Sequence, residues 1–218
     1  MDALSLTDHG NGNGLAHAHS HAVKMQKAGR KYRQVYGVEF YFVPSLQQWT
    51  EEYAAHRQAI KDAKTAAAAE KKAKEKVDID ADDEAEAGGL VIEDEDETKK
   101  IDVLKDEWKR RYHLVVTARN QQGLKNLFTL VKKSYKYGFY RYPRVDFQML
   151  QDHGEGLHIS TACLGGIYSN RILRGEVHGH SRDQIQSELQ NLTDRFVSCV
   201  GENNFKLELQ FNKIGKQH

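Results

Sequence analysis

The chain has 218 residues, 39% of them hydrophobic and 29% charged, with a formal net charge of +1. That admits one domain or a domain and a half. Two cysteines, Cys163 and Cys199, exclude a disulfide framework. No apolar run approaches bilayer length and no signal-peptide pattern follows Met1, so no membrane role is expected and the chain reads as cytoplasmic, with reduced thiols free to bind metal.

The near-zero charge hides an uneven distribution. Residues 51–111 hold 13 Lys/Arg against 19 Asp/Glu, and the remainder holds 19 against 12. The part expected to fold is therefore basic, compatible with a phosphate-bearing partner or with an ordinary solvated surface.

In chain order, residues 3–7 read as a buried strand. Asp8-His9-Gly10-Asn11-Gly12-Asn13-Gly14 follows as a turn whose glycines and asparagines tolerate positive φ. A helix is predicted over 15–28 with Gly29 as its stop, then a β-branched and aromatic strand over 34–43, closed by Pro44. Residues 54–76 predict an exposed helix of mixed charge. Residues 78–97 hold eleven acidic residues and no basic one, which predicts disorder, and a short helix is expected over 103–110. Residues 50–108 thus read as an insertion between a first part, 1–49, and a second part, 109–218.

Order resumes with a strand over 112–118. Leu124, Leu127, Phe128, Val131 and Tyr135 then repeat at helical spacing across 121–137. An aromatic loop over 139–144, a short helix over 146–151 and a strand over 156–161 come next. Helices over 167–173 and 182–200 precede a last strand over 205–211. Strands alternating with helices predict a parallel α/β arrangement, whose site would lie at the C-terminal ends of the strands.

Four candidate metal ligands stand at or near predicted strand ends: His9, Glu39, His113 and Cys163. Imidazole, carboxylate and thiolate are zinc donors, and the first two also suit manganese or iron. Singly, each has a plainer reading. A strand-end histidine can be a capped residue, Glu39 an outward-facing one, and Cys163 a small buried hydrophobe. His17, His19 and His21 fall in the first predicted helix, where only His17 and His21 share a face, so a polar surface is the simpler reading. Arg119, Lys132, Lys133, Arg141 and Arg144 are interleaved with Tyr135, Tyr137, Phe139, Tyr140 and Tyr142. They form the candidate DNA surface, with core and loop packing as the alternative for the aromatics.

Several segments together resemble one family. Thr7-Asp8-His9-Gly10-Asn11, Gly37-Val38-Glu39, Tyr112-His113-Leu114 and the stretch from Ala118 to Leu127 come in order. Gly138-Phe139-Tyr140 with Pro143-Arg144-Val145-Asp146, Glu155-Gly156-Leu157 with Cys163-Leu164-Gly165-Gly166, and Leu207-Glu208-Leu209-Gln210 complete the series. These are similar to the polymerase-and-histidinol-phosphatase (PHP) domain of bacterial and phage DNA polymerase III α subunits. The resemblance implies an incomplete, distorted (β/α)7 barrel interrupted by the charged insertion. It also implies divalent metals (zinc, manganese or iron) on His9, Glu39, His113 and Cys163, with Asp8 orienting a ligand from behind. The family's His-x-His and Asp-x-His pairs do not stand in their places here, so the implied site is partial.

The implied activity is metal-dependent phosphoesterase chemistry, a 3′–5′ proofreading exonuclease, in DNA replication. The alternative is a scaffold that stabilises the polymerase or docks a separate proofreading exonuclease. The partners it implies are DNA, the rest of the α chain or a complementary split fragment, and replisome members such as a sliding clamp and an exonuclease subunit. The catalytic aspartates of the polymerase are not in this chain, so no nucleotidyl transfer by it in isolation is expected.

Overall fold

The computed structural model describes residues 2–75 and 109–210. The chain divides into two compact units, Met1–Leu46 with Val103–His218, and Gln47–Asp102. The first unit holds strands β1 (Ala3–His9), β2 (Arg33–Phe42), β3 (Tyr112–Ala118), β4 (Phe139–Tyr140), β5 (Tyr142–Val145), β6 (Leu157–Ser160) and β7 (Phe205–Lys206). Its helices are α1 (Leu15–Lys27), α3 (Gln121–Tyr137), α4 (Phe147–His153), α5 (Ile167–Val177) and α6 (Arg182–Val200), while α2 (Leu46–Glu75) runs through the second unit.

The strands lie in the order β4-β5-β2-β3-β6-β7, with β1 pairing β2. β1 follows the first part of β2, from Arg33 to Glu39, and β5 takes over at Tyr41 and Phe42. The expectation of an all-parallel arrangement is corrected here. β3 runs antiparallel to both neighbours, β2 and β6. Alternation of strands and helices in sequence sets the order of elements but not the direction of each strand. The connection from β2 to β3 is long enough to return to either end of the sheet.

Strand periodicity separates the two faces of the sheet. Val38, Phe40, Phe42, Leu114, Val116 and Ile159 are fully buried and point to one side. There Phe42, Phe147 and Phe196 pack with ring centroids 4.7–5.3 Å apart, and Phe205 stacks on Phe196 at 5.1 Å. Each such aromatic removes enough apolar surface from water to contribute roughly 1.5–3 kcal/mol. Residues of the other face, including Glu39, Tyr41, His113, Val115, Thr117 and His158, are only half-buried.

Helix α3 spans the range that its periodicity predicts, capped by Asn120, whose side chain accepts from Gly123 N at 2.8 Å. Gly123 is required by a close approach: an added Cβ would lie 1.9 Å from Gly156 O. Helix α6 opens on a capping box formed by Ser181 and Gln184. Helix α5 extends to Val177, past the predicted stop at 173. The aromatic segment predicted as a loop pairs as β4 and β5, with Arg141 at φ 60° in the turn. The predicted last strand shortens to Phe205–Lys206, and Leu207 and Leu209 are exposed. At this edge β7 has only two residues paired, with β6, so alternation alone does not extend the ladder.

The helix that runs through the second unit begins at Leu46, ahead of the predicted 54, and carries Gln47–Glu51, Gln48–Glu52 and Gln58–Asp62 hydrogen bonds at i,i+4. Trp49 stacks on Tyr53 at 5.4 Å. The acidic run 78–97 and the helix predicted over 103–110, apart from its last two residues, lie outside the described residues. No helix among the described residues is long and apolar enough to cross a membrane.

Candidate metal centre

His9 is the last residue of β1, and the β1–β2 register sets it directly opposite Glu39. His113 is the second residue of β3 and pairs with Tyr41. Because side chains alternate along a strand, Glu39 and Tyr41 share a face with His9 and His113. Reversal of β3 is what brings His113 to this end, since it stands near the start of its strand while Tyr41 stands near the end of β2.

Glu39 Oε1 is 2.8 Å from His113 Nδ1 and 3.9 Å from His9 Nδ1. The two imidazole rings lie edge to face at 5.3 Å. Among the described residues, His9, Glu39 and His113 form the group able to hold a metal ion, with ligand atoms all within 4.8 Å of one another. Donors bound at ~2.1 Å to one ion stand at most about 4.2 Å apart, so the separations of Glu39 from His113 and from His9 fit a shared ion. Cys163 lies outside that group but adjoins it, with Sγ 3.5 Å from His113 Nδ1. Its loop is held by Gly165 N donating to Sγ at 3.3 Å and by His113 N donating to Gly165 O at 3.1 Å. Ala162, just before it, takes φ 57°, a left-handed conformation uncommon outside glycine. Backbone strain of this kind persists where the surroundings over-determine it.

The three groups reshape one another's protonation. The hydrogen bond to Cys163, then that to Glu39, raises the His113 imidazole to about 9, against the opposing effect of burial. Burial acts most strongly on Glu39 and would raise it, but hydrogen bonding to His113 and the charges of His113 and His9 together hold the carboxyl below its ordinary value. The hydrogen bond to His113 lowers the Cys163 thiol, and burial opposes it. The cluster therefore shifts the carboxyl and the thiol toward their ionised forms, and His113 toward an imidazolium that must give up its proton to ligate a metal.

Asp8 does not reach this group in the described contacts. Its Oδ2 accepts from Gly14 N at 2.7 Å and closes the loop after His9. Gly10 begins that loop at φ +67°, where its N–H donates to Glu39 O at 2.8 Å. Pro143 would meet a Cβ there at 2.9 Å. The histidines of α1 go elsewhere: His19 Nδ1 lies 2.7 Å from Tyr36 Oη, and His21 packs edge-on to Tyr32.

Two of the predicted DNA contacts, Arg144 and Arg119, stand apart from the rest. Arg144 is buried, its Nη1 donating to Tyr140 O at 2.8 Å and Tyr142 O at 3.0 Å, which corrects its reading as an exposed phosphate contact. Burial first, then the charge of Arg111, pushes that guanidinium down to about 10. Arg119 follows β3 at the end away from His113, where its Nη1 donates to Asn204 Oδ1 and it lines a cleft of about 610 Å³ with Arg33, Thr117 and His158. Lys132 and Arg141 are exposed and Lys133 is half-exposed.

Sequence reasoning missed Tyr41 and Arg111. The Tyr41 ring lies nearly parallel to His9 at 6.1 Å and edge-on to His113 at 5.8 Å. Arg111 stands 4.2 Å from the centre of the Tyr142 ring, which itself packs on Tyr41. The two-residue step from Glu39 to Tyr41 is the signal that would have found the tyrosine.

The model of the family described as PHP domain matches residues 1–212. The chain is also similar to DNA polymerase III subunit alpha of Aquifex aeolicus, 36% identical over 109 residues, which is 50% of this chain and 8% of that protein. The same subunit of Campylobacter jejuni is 38% identical over 116 residues, 50% of this chain and 9% of the relative. That of Helicobacter pylori is 43% identical over 60 residues, 28% and 5% of the two. Each alignment thus covers only a small part of the relative's length. With the family match running across both halves of the folded unit and over all of the described site, the chain belongs to the PHP domain family.

Proposed function

We propose that this chain acts in DNA replication as the PHP portion of a polymerase III α subunit, and that His9, Glu39, His113 and Cys163 hold a divalent metal for phosphodiester hydrolysis at a DNA 3′ end. The observation that carries the reading is the convergence of His9, Glu39 and His113 at one end of the sheet. Zinc, manganese and iron all suit the donors. A divalent ion there supplies Lewis-acid activation of a water and of a phosphoryl oxygen.

The chain's own residues would do the rest. Glu39 contributes a carboxylate kept ionised by its neighbours, and Gly165 N–H steadies the Cys163 sulfur. Asp8 and Gly10 fix the loop that carries His9. Tyr41, Tyr142 and Arg111 form an aromatic and cationic wall beside the ligands, suited to a nucleotide's base and phosphate. DNA, the remainder of an α chain or a complementary fragment, a sliding clamp and an exonuclease subunit are the partners this reading implies.

A second reading, a scaffold without catalysis, draws on one observation: Glu39 and Cys163 already satisfy His113 without an ion. Metal analysis after chelation and reloading separates the two. Uptake by the wild type that is lost in Glu39→Gln with His113→Ala, together with release of nucleotides from a 3′ end, supports the hydrolase. Equal metal content in wild type and variant overturns the assigned ligands. Absence of metal even when the chain is joined to the flanking sequence of a full subunit leaves the scaffold.

A further inference from the structure

Helix α3 buries Gly123, Asn126, Leu127, Leu130 and Ser134 against the sheet. On the opposite side Lys125, Phe128, Lys132, Tyr135 and Lys136 fall on one stripe, at successive offsets of 3, 4, 3 and 1 residues. Phe128 is 50% exposed and Tyr135 46%. Phe139, just past the helix and 55% exposed, stacks on Tyr135 with ring centroids 5.7 Å apart and planes 15° from parallel. Among the described residues, the large aromatics left exposed all lie between Phe128 and Phe139.

The charge along this stretch of the sequence has one sign. Residues 108–145 contain ten Lys/Arg and no Asp/Glu. The local field is visible in Tyr137, whose phenol is held below its ordinary value by a hydrogen bond from Lys136, the charge of Lys136, and the charges of Lys133 and Lys132. Exposed apolar surface alone would suit a protein partner, but the cores of protein interfaces are depleted in lysine, whereas here lysines alternate with the rings. Rings and cations interleaved on a helix that itself carries no acid match a polyanion whose bases are unpaired, because stacking needs a free base face and lysine needs a phosphate. One end of the stripe touches the loop that follows His9: a Cβ on Gly12 would lie 3.7 Å from the Phe128 ring.

We propose that the outer face of α3 binds single-stranded nucleic acid, with one base platform at Phe128, a second at the Tyr135–Phe139 pair, and phosphates held by Lys125, Lys132 and Lys136. The platforms lie roughly 10 Å apart along the helix axis, so the strand bridges them in an extended form. This deepens the hydrolase reading by naming how the unpaired end would be held beside the metal centre, and it rests on that reading only for its consequence. Binding itself requires no metal.

The test is fluorescence anisotropy of the full chain in EDTA with labelled oligo(dT), oligo(U) and a duplex of equal length. The wild type is expected to bind both single strands at least about 10-fold more tightly than the duplex. Phe128→Ala with Tyr135→Ala and Phe139→Ala should weaken single-strand binding about 10- to 100-fold, at unchanged circular dichroism and metal content. Lys125→Gln with Lys132→Gln and Lys136→Gln should lower the slope of log K against log salt by about 2. No binding by the wild type, equal binding of duplex, or an aromatic variant that binds like the wild type overturns the proposal. Glu39→Gln separates the two claims: lost metal with retained oligonucleotide binding supports both. Retained metal uptake in a wild type that ignores every oligonucleotide overturns only the strand-binding surface.

Discussion

The two faces of the sheet are made from the same strands and do opposite work. On the covered face Val38, Phe40, Phe42, Leu114 and Val116 have no exposed surface, and the rings of Phe147 and Phe196 close over them. One residue further along each strand, Glu39, Tyr41, His113 and Thr117 remain half-exposed. A period of two thus assigns stability to one side and chemistry to the other, and the polar face is kept in place by the apolar one.

Mutations can break that division from either side. The largest expected effect is on the covered face: Phe196→Ala, which removes a fully buried ring packed on Phe42, Phe147, Tyr168 and Phe205, should cost about 3–5 kcal/mol in urea unfolding. On the open face Glu39→Gln should weaken metal binding at least about 100-fold, some 2.7 kcal/mol, while changing unfolding stability by much less than Phe196→Ala. If the two variants destabilise the fold equally, the division of labour fails.

Intermediate in size is Asp146, which ties the start of α4 to Leu46. Its carboxylate accepts from Met149 N at 3.0 Å as the cap of α4 and from Leu46 N at 3.0 Å. Asp146→Ala should cost roughly 1–3 kcal/mol by chemical denaturation, because two backbone donors lose a buried acceptor.

The smallest effect is a pH dependence. Burial, then the charges of Lys206 and Arg119, holds His158 below the ordinary imidazole value. The folded state therefore favours the neutral ring, and its contribution is present above the unfolded imidazole range and fades as pH falls through the lower folded value. Between neutral and mildly acidic pH the melting temperature of the wild type should fall slightly more than that of His158→Gln. An identical fall in both would remove His158 as a cause.

Much of the fold could be read from residue pattern. The amphipathic repeat over 121–137 defines α3, and strand residues over 112–118 define β3. His9 was recognisable as a candidate because it ends a strand beside turn residues, and Glu39 because it is the lone carboxylate in a strand rich in apolar and aromatic residues. His113 was singled out on the premise that all strands run the same way, whereas it reaches the group because β3 runs the other way. Arg144 misled because a basic residue between aromatics looks like surface; only its packing shows the guanidinium spent on two carbonyls.

What the sequence determined by itself is local: which stretches make helices and strands, which side of each is apolar, and which residue types can ligate a metal. These follow from propensity and periodicity, which act within a few residues. What only the tertiary structure decided is direction, register and burial. Those depend on how distant segments pair, so the approach of Glu39 to His113 across the sheet, the exposure of Phe128 and Tyr135, and the withdrawal of Arg144 from the surface are properties of the assembled unit.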